Sequence, residues 1–206
     1  MYPGIRKDGG YMARLQKSRD KILATAGRLF SENGYDATSV HEICMTAGVS
    51  KGAFYHYFST KETLFLILLE DWVERMKQVL VGEGDGLAPF PESLPEMAGR
   101  SSVIFQTTKK NFSVMIDFWK EAARDPAVWA RSVRPFEELL RSLREQALAG
   151  QQAGFIRSDI DPGSTAHLLS ACVLGYLLQA ALDPGRLDWT ELARNGMELV
   201  VANLKK

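Results

Sequence analysis

Residues 38–62 read Thr-Ser-Val-His-Glu-Ile-Cys-Met-Thr-Ala-Gly-Val-Ser-Lys-Gly-Ala-Phe-Tyr-His-Tyr-Phe-Ser-Thr-Lys-Glu, which predicts two short helices joined by a tight turn. Ser39 and Glu42 form a capping box that starts the first helix. Gly48 suits its end, because glycine adopts the left-handed conformation without steric cost. Ser50 suits the N-cap of the second helix. The arrangement fits a helix-turn-helix, whose second helix enters the major groove of DNA by its N-terminal residues; an ordinary helical hairpin is the alternative.

The second helix has two distinct faces. Phe54 and Phe58 lie four positions apart and are expected to point inward. Lys51 and Tyr55 lie one turn apart on another face. Gly52 lowers the helix propensity, but it would let the backbone approach DNA closely. The pattern therefore places a lysine and a tyrosine where a duplex could meet them.

Three stretches resemble the TetR family of transcriptional regulators. Val49–Leu64 is similar to the signature of that family, Lys21–Tyr35 to its first helix, and Gly154–Pro162 to the loop between its seventh and eighth helices. The resemblance implies an all-α fold of about nine helices. The expected parts are a flexible N-terminal arm at residues 1–17, a three-helix helix-turn-helix DNA-binding domain at 18–64, and a helical effector-binding and dimerisation domain at 65–206.

The resemblance also implies which positions contact DNA. Lysine reaches guanine acceptors, tyrosine meets a thymine methyl group, and hydroxyl and ammonium groups bind phosphate oxygens. The implied positions are Lys51, Gly52 and Tyr55 at base edges, Ser39, His56, Tyr57 and Lys61 at phosphates, and Ala53 where the family often has threonine.

Composition and charge are compatible with this interpretation. The chain has 206 residues, 46% of them hydrophobic, and a formal net charge of zero, which argues weakly against a nucleic-acid binder. The charge is unevenly distributed: residues 1–62 hold 9 Lys and Arg against 6 Asp and Glu, and the remainder holds 16 against 19. A mildly basic first part suits local contact with phosphates.

The cysteines and the apolar runs indicate a cytoplasmic protein. Cys44 and Cys172 both lie on apolar helix faces and are expected to be buried free thiols, as in a reducing compartment. The N-terminus has no long apolar stretch, so no signal peptide is expected. The most apolar run, Leu168–Leu182, is shorter than a bilayer span and is expected to be a buried helix.

Helical periodicity and intervening breakers predict the remaining elements. Residues 1–17 lack periodicity and are expected to form a disordered tail, with a basic arm that reaches DNA as the alternative. Ser18 suits the N-cap of the first helix, which Gly34 ends. Further helices are expected at about 61–81, 94–107, 110–124, from Pro126 onward with a kink at Pro135, 163–182 and 189–204. The helix after Pro126 is expected to bury Trp129, Val133, Phe136, Leu140, Leu143 and Ala147.

The last two predicted helices suit a dimer interface. The segment His167–Leu182 is apolar almost all round, so every face of it must be covered. The resemblance implies that these helices form a four-helix bundle with their mates in a homodimer; the core helix of a monomer is the alternative. The predicted interface residues are Ala171, Leu174, Gly175, Leu178, Leu192, Gly196, Leu199 and Val200.

Aromatic side chains between these parts predict a small-molecule pocket. Aromatic walls with a few polar groups suit an apolar or aromatic effector, although each residue also suits an ordinary core. The predicted lining is Phe105, Phe112, Met115, Trp119, Trp129, Phe136, His167 and Tyr176, with Gln106 and Gln179 as further polar candidates. Effector binding is expected to tilt the helix at 61–81 and so to change the spacing of the two DNA-reading helices.

No catalytic or metal-binding pattern stands out. His41 and Cys44 lie three positions apart on one helix, but two ligands do not make a metal site. The sequence shows no phosphate-binding glycine loop and no converging nucleophile, base and acid. We therefore expect no cofactor, no metal and no enzyme activity. The predicted function is a homodimeric repressor that a small effector releases from a palindromic double-stranded DNA operator; a helical small-molecule carrier or enzyme without DNA binding is the alternative.

Overall fold

The computed structural model describes residues 9–81, 89–183 and 185–205. These residues fold into nine α-helices and one isolated β-bridge, between Ile156 and Lys205. The helices are α1 (Gly9–Asn33), α2 (Val40–Ala47), α3 (Lys51–Tyr57), α4 (Lys61–Val81), α5 (Leu94–Gly99), α6 (Ser102–Ala122), α7 (Pro126–Gln152), α8 (Pro162–Leu182) and α9 (Trp189–Leu204). The all-α prediction is confirmed.

Contacts divide the chain into two compact units, residues up to Leu68 and residues from Leu69 onward. The division falls inside α4, which therefore contributes its first part to one unit and its second part to the other. It lies about one helical turn past the predicted domain boundary after residue 64.

The first helix is longer than predicted. α1 begins at Gly9, so the expected disordered tail and the expected N-cap at Ser18 were wrong for residues 9–17. That segment contains good helix formers and no proline, and Ser18 is tolerated inside the helix. Gln16 Nε2 donates a hydrogen bond to Asp20 Oδ1 at 2.9 Å, one turn along the same helix. Residues 1–8 of the predicted arm lie outside the described residues.

Three aromatic rings form the centre of the first unit. The ring centroids of Phe30 and Tyr35 lie 5.4 Å apart, those of Phe30 and Phe65 5.6 Å, and those of Tyr35 and Phe65 5.2 Å. Thr38 is fully buried, and its hydroxyl donates to the carbonyl of Gly34 at 2.8 Å. The cluster joins the end of α1 to the second turn of α4, and the threonine fixes the connection to α2.

In the second unit α5 packs on α9, and α8 packs against both α6 and α7. The single helix expected at 94–107 is two helices, because α5 ends at Gly99 and α6 begins at Ser102. The buried hydroxyl of Ser101 donates to the carbonyl of Ala98 and closes the turn between them. The helix expected at 110–124 is the later part of α6.

The buried face of α7 agrees with the prediction at Leu143 and Ala147 and differs from it elsewhere. The buried residues are Ser132, Pro135, Leu139, Leu143, Ala147 and Gly150. Trp129, expected inside, is 42% exposed. The prediction followed the largest apolar side chains, but Ser132 donates its hydroxyl to the carbonyl of Trp129 at 2.8 Å and is thereby satisfied within its own helix. α7 continues through Pro135, and the expected kink there stays a prediction.

The end of α9 is tied to the connection between α7 and α8. The amide of Arg157 donates to the carbonyl of Leu204 at 3.0 Å, next to the bridge between Ile156 and Lys205. Lys205 Nζ also lies 3.1 Å from a carboxylate oxygen of Glu92. These contacts hold α9 in place along α5.

Candidate nucleic-acid interface and effector cavity

Both predicted serine caps of the helix-turn-helix form. Ser39 Oγ accepts a hydrogen bond from the amide of Glu42 at 3.1 Å at the start of α2. Ser50 Oγ accepts one from the amide of Ala53 at 3.1 Å at the start of α3. Each cap satisfies a backbone donor that the helix itself leaves unpaired, so both helices begin where the sequence predicts.

Gly48 makes the turn between the two helices. It adopts the left-handed conformation, with φ 63° and ψ 42°. The amide of Gly48 donates to the carbonyl of Met45 at 3.2 Å, and the amide of Val49 donates to the carbonyl of Cys44 at 3.0 Å. This positive φ is strained for residues with a side chain, so the glycine is what allows α3 to leave α2 so abruptly.

Two phenylalanines anchor α3. Phe54 and Phe58 are fully buried, and their ring centroids lie 5.6 Å apart. Tyr55, the next residue after Phe54, is 54% exposed, and Lys51 and Gly52 are exposed as well. Burial of one face fixes the orientation of this short helix, so the three predicted base-facing residues lie on its solvent side. Their contact with bases stays a prediction.

The predicted phosphate contacts lie in different surroundings. Ser39 and His56 are exposed, whereas Tyr57 and Ala53 are half-buried. The rings of His56 and Tyr57 lie 4.9 Å apart in an edge-on arrangement. Ser39 accepts a hydrogen bond as an N-cap, but its own hydroxyl proton is left to donate to a phosphate oxygen.

Lys61 is bound within the first unit. Its ammonium donates to the carbonyl of Tyr35 at 3.0 Å and to that of Thr38 at 3.2 Å, and it lies 4.2 Å from the centre of the Tyr35 ring. Two of its three protons are thereby used, and the third is left for a phosphate. The helix it begins is capped by Thr60, whose hydroxyl accepts from the amide of Thr63 at 3.1 Å. The sequence did not reveal the role of Lys61 as a tether, because its acceptors are distant backbone carbonyls.

Cys44 belongs to the core of the helix-turn-helix. It is buried, and burial raises the pKa of its thiol, although the charge of Lys51 acts in the opposite direction. The thiol is therefore neutral and packs as a small apolar group. His41 is exposed. Among the residues that the structure describes, no three His, Cys, Asp or Glu side chains could jointly hold a metal ion.

An apolar cavity of about 40 Å³ lies within the second unit. Its walls come from α4, α5, α6, α8, α9 and the turn before α6. The lining residues are Met76, Leu94, Ala98, Ser101, Phe105, Val173, Tyr176, Leu177, Ala193 and Met197. None of these side chains carries a charge at neutral pH. The sequence did not reveal this set, because five helices far apart in the chain contribute to it.

Two of the eight predicted pocket residues, Phe105 and Tyr176, line this cavity. Trp129 and His167 were expected in the pocket wall but are exposed. For these two residues the placement was wrong, because each faces solvent rather than the core. Gln179 is exposed too, and its side-chain amide donates to the carbonyl of Gly175 at 3.3 Å, within its own helix.

The other four predicted pocket residues also lie outside the cavity wall. Met115 is buried, and Phe112, Trp119 and Phe136 are half-buried. The rings of Trp119 and Phe136 lie 5.6 Å apart, so they pack on each other. The side chain of Gln106 lies outside the described residues. Aromatic residue type was therefore a poor guide to this cavity.

One side of α8 is exposed in the single protomer. Leu178 is 41% exposed, and a side chain at Gly175 would meet open space. The residues on this side are spaced by three and four positions, as in a helix-packing seam. They form the α8 stripe, which consists of Leu168, Ala171, Gly175, Leu178 and Leu182.

α9 adds two exposed leucines to the predicted interface. Leu192 is exposed, and Leu199 is 70% exposed. Leu174 on α8 and Val200 on α9 are half-buried. Apolar side chains exposed in this number on two neighbouring helices are typical of an interaction surface.

Gly196 of α9 packs against α8 of its own chain. A Cβ atom at this position would lie 1.9 Å from the hydroxyl oxygen of Tyr176 and 2.9 Å from the carbon that bears it. Gly196 is thus the place on α9 against which a tyrosine of α8 in the same chain packs. Its lack of a side chain serves this internal contact, and its place in a dimer interface stays a prediction.

Comparisons with known proteins agree with this geometry. The family model described as bacterial regulatory proteins, tetR family, matches residues 22–68. The model described as BetI-type transcriptional repressor, C-terminal, matches residues 103–204. The chain belongs to the TetR family. It is a DNA-binding transcriptional regulator, and the resemblance seen in the sequence is confirmed.

Curated relatives of this TetR-family protein include two regulators that match most of its length. HTH-type transcriptional regulator UidR of Escherichia coli strain K12 is 28% identical over 169 residues, which are 79% of this chain and 81% of that protein. HTH-type transcriptional repressor AcnR of Corynebacterium glutamicum is 27% identical over 190 residues, 92% of this chain and 93% of that protein. The family and these relatives are transcriptional regulators and not enzymes.

Solved structures share the fold. The SmeT–triclosan complex superposes with a TM-score of 0.77 at 22% identity, covering 92% of each chain.

Within this TetR-family fold, α8 is long and apolar enough to cross a membrane by length and composition, with a mean hydropathy of 1.5. In a family of soluble DNA-binding regulators, one weakly apolar helix does not indicate a membrane protein.

Proposed function

We propose that this regulator is a repressor that binds a palindromic operator as a homodimer and leaves it when a small apolar effector binds. The burial of Phe54 and Phe58 carries this proposal, because it presents Lys51, Gly52 and Tyr55 together on the open side of α3. A lysine and a tyrosine on the first turns of such a helix are suited to guanine acceptors and a thymine methyl group.

Phosphate contacts would hold α3 in register. The exposed hydroxyl of Ser39 lies at the start of α2, and the half-buried Tyr57 lies at the end of α3. The remaining proton of the Lys61 ammonium would add a third contact. Such contacts position the protein on the duplex, whereas the groups on α3 supply the sequence preference.

The α8 stripe supports a homodimer. Its five residues and the exposed Leu192 and Leu199 form an apolar surface that a second copy, carrying the same surface, would cover. A two-fold axis would then present two copies of α3 to half-sites about 34 Å apart, which is one turn of the double helix. The regulator would act in the cytoplasm, as its family does.

The effector is proposed to enter the cavity of the second unit. The related SmeT structure contains triclosan, and the cavity here has no charged side chain in its wall. Met76 belongs both to that wall and to α4, the helix that contributes to both units. An effector that displaces Met76 would shift α4 and so change the spacing of the two DNA-reading helices.

The DNA-binding part of the proposal is tested with the DNA that flanks the regulator's own gene. Fluorescence anisotropy should show binding to a palindrome there, with an affinity that falls steeply as salt rises. The Lys51→Ala and Tyr55→Ala double variant should lose the preference for that palindrome and keep weak binding to unrelated DNA. Equal affinity of the wild-type protein for both DNAs at every salt concentration would contradict the proposal and favour a carrier.

The dimer is tested separately. Leu178→Glu combined with Leu199→Glu places charges in the proposed interface, and light scattering should report a folded monomer with an unchanged helical circular dichroism signal. Leu148→Glu combined with Phe155→Glu is the matched control, because these side chains are also exposed but lie outside the predicted interface. Dimers that persist in the first variant would place the interface elsewhere.

A further inference from the structure

The hydroxyl of Tyr176 stands out in the cavity wall. Ser101 is the other polar side chain there, but its hydroxyl proton is already donated to the carbonyl of Ala98. The Tyr176 hydroxyl has no hydrogen-bond partner among the described residues, and it lies against Gly196, where α9 has no side chain. The wall of the cavity therefore offers one uncommitted polar donor in an apolar surface.

The position of this hydroxyl depends on the glycine. Because a Cβ atom at position 196 would lie 1.9 Å from the hydroxyl and 2.9 Å from the ring carbon that carries it, the ring itself would have to move. The Tyr176 side chain is half-buried, and burial raises the pKa of its phenol, with a further contribution from Cys172. The group is therefore a neutral hydrogen-bond donor at physiological pH.

The charge of the ligand is limited by the same wall. A carboxylate or an ammonium group would enter without an ionic partner, since no lining side chain is charged. Burying an unpaired charge costs far more free energy than one hydrogen bond to a phenol returns. A neutral ligand with one hydrogen-bond acceptor does not meet this penalty.

The cavity must also grow. Its volume of about 40 Å³ has room for a few water molecules only, whereas ligand sites span roughly 300–1,000 Å³. Met76 and Met197 are far apart in the sequence, and both line the cavity. Methionine side chains are unbranched and rearrange readily, so they are the parts of the wall that can give way.

We propose that Tyr176, packed on Gly196, is the specificity-determining residue of the cavity, and that the cavity takes neutral apolar ligands with a single hydrogen-bonding oxygen. This inference rests on the proposed function and narrows its effector class. The phenol binds the ligand oxygen, and the apolar wall contacts the rest. A ligand of the same shape without the oxygen binds less tightly, because it leaves the phenol unpaired.

Three probes of one shape test this in the full-length protein: 2-naphthol, 2-methylnaphthalene and 2-naphthoate. By titration calorimetry, the wild-type protein should bind 2-naphthol at least tenfold more tightly than 2-naphthoate. Tyr176→Phe should weaken 2-naphthol binding about tenfold, the effect of one lost hydrogen bond, and should not weaken 2-methylnaphthalene binding, because that ligand leaves the phenol of the wild type unpaired. A merely structural tyrosine would change both affinities together.

Gly196→Ala tests whether the contact with Gly196 positions the Tyr176 side chain. It should weaken 2-naphthol binding at least as much as Tyr176→Phe does. Gly99→Ala is the matched control in the same unit, because its Cβ would lie 3.7 Å from Arg194 Cδ, an ordinary contact, and it should bind as the wild type does. If Gly196→Ala binds 2-naphthol as tightly as the wild type does, Gly196 does not position Tyr176 for ligand binding.

Other outcomes overturn the whole inference. They are binding of none of the three probes, equal binding of 2-naphthoate and 2-naphthol, or an equal loss of all probes in Tyr176→Phe. Operator affinity is measured on the same samples. If the wild-type protein binds its operator but the probes give one of these outcomes, only the inference fails; if it does not bind the operator, the proposed function fails regardless of the probes.

Discussion

The candidate DNA-reading surface comes from residues 39–61, whereas the cavity of the second unit is lined by residues from Met76 to Met197. The first is built on short capped helices and faces solvent. The second is enclosed by five helices and has a volume of only about 40 Å³. A surface that reads DNA can be encoded locally, because the duplex supplies the opposing shape. A cavity needs the tertiary packing of its own chain to supply every wall.

This contrast predicts how mutations separate stability from binding in the first unit. Neighbouring residues there have opposite surroundings, since Phe54 is fully buried and Tyr55 is more than half exposed. In the cavity the same side chains provide both the wall and the ligand contact. We therefore expect the two properties to be separable in the first unit and coupled in the second.

The largest effect is expected for Phe54→Ala. It removes a fully buried ring that anchors α3, and such truncations cost about 3–5 kcal/mol. Chemical denaturation followed by circular dichroism should show this loss in the first unit, together with loss of operator binding. If the free energy of unfolding falls by less than about 1 kcal/mol, α3 is held mainly by its caps. Stability and DNA binding would then not be divided between its buried and exposed faces.

A smaller effect, confined to binding, is expected for Tyr55→Ala and for Lys51→Ala. Each should weaken operator binding by about 1–3 kcal/mol, which is typical of one lost base contact, because both side chains are exposed on α3. Unfolding curves should stay within about 0.5 kcal/mol of the wild type. Operator affinities equal to that of the wild type in both variants would show that DNA meets another face of the helix.

The ease of predicting each site from the sequence follows from the same contrast. Ser39, Gly48 and Ser50 act over three or four positions, and the structure contains the caps and the turn where these residues predict them. The exposed side of α3 followed from Phe54 and Phe58, because a short helix has only one face to bury.

In the second unit local patterns were less informative. Trp129 is apolar and large, yet it is exposed, while Ser132 on the same helix is fully buried. Gly196 has the residue type of a helix interface, yet Tyr176 of its own chain lies against it. Which face of a long helix is covered depends on neighbours that are distant in sequence, and periodicity alone does not name them.

Lys61 connects the two kinds of site, because it supports the first unit and is predicted to contact phosphate. Lys61→Met keeps the apolar stem but removes two bonds to carbonyls, so the free energy of unfolding should fall by about 1 kcal/mol. Affinity for operator and for unrelated DNA should fall equally, and the salt slope should fall by about one unit per protomer.

Lys51→Met is the matched control for Lys61. Its side chain is exposed, so the unfolding free energy should not change, while the loss of affinity should be greater for operator than for unrelated DNA. An unchanged salt slope in Lys61→Met would leave that lysine as a tether without a phosphate contact. An unchanged unfolding free energy would mean that the two carbonyl contacts add nothing to stability.

The smallest effect is expected at Gly175, where the comparison extends from one chain to two. In a single protomer a Cβ atom there would meet open space, and alanine favours a helix interior over glycine by about 0.5–1 kcal/mol. Gly175→Ala should therefore stabilise the monomeric Leu178→Glu, Leu199→Glu background by that amount in chemical denaturation. In the otherwise wild-type chain the same methyl group should weaken the dimer, because two copies of the α8 stripe would meet closely at this position. Light scattering over a serial dilution of the protein measures this change. If Gly175→Ala stabilises the dimer as much as it stabilises the monomer, the two α8 helices are well separated at this position. Only a close approach of the two helices would make the substitution stabilise the monomer and weaken the dimer.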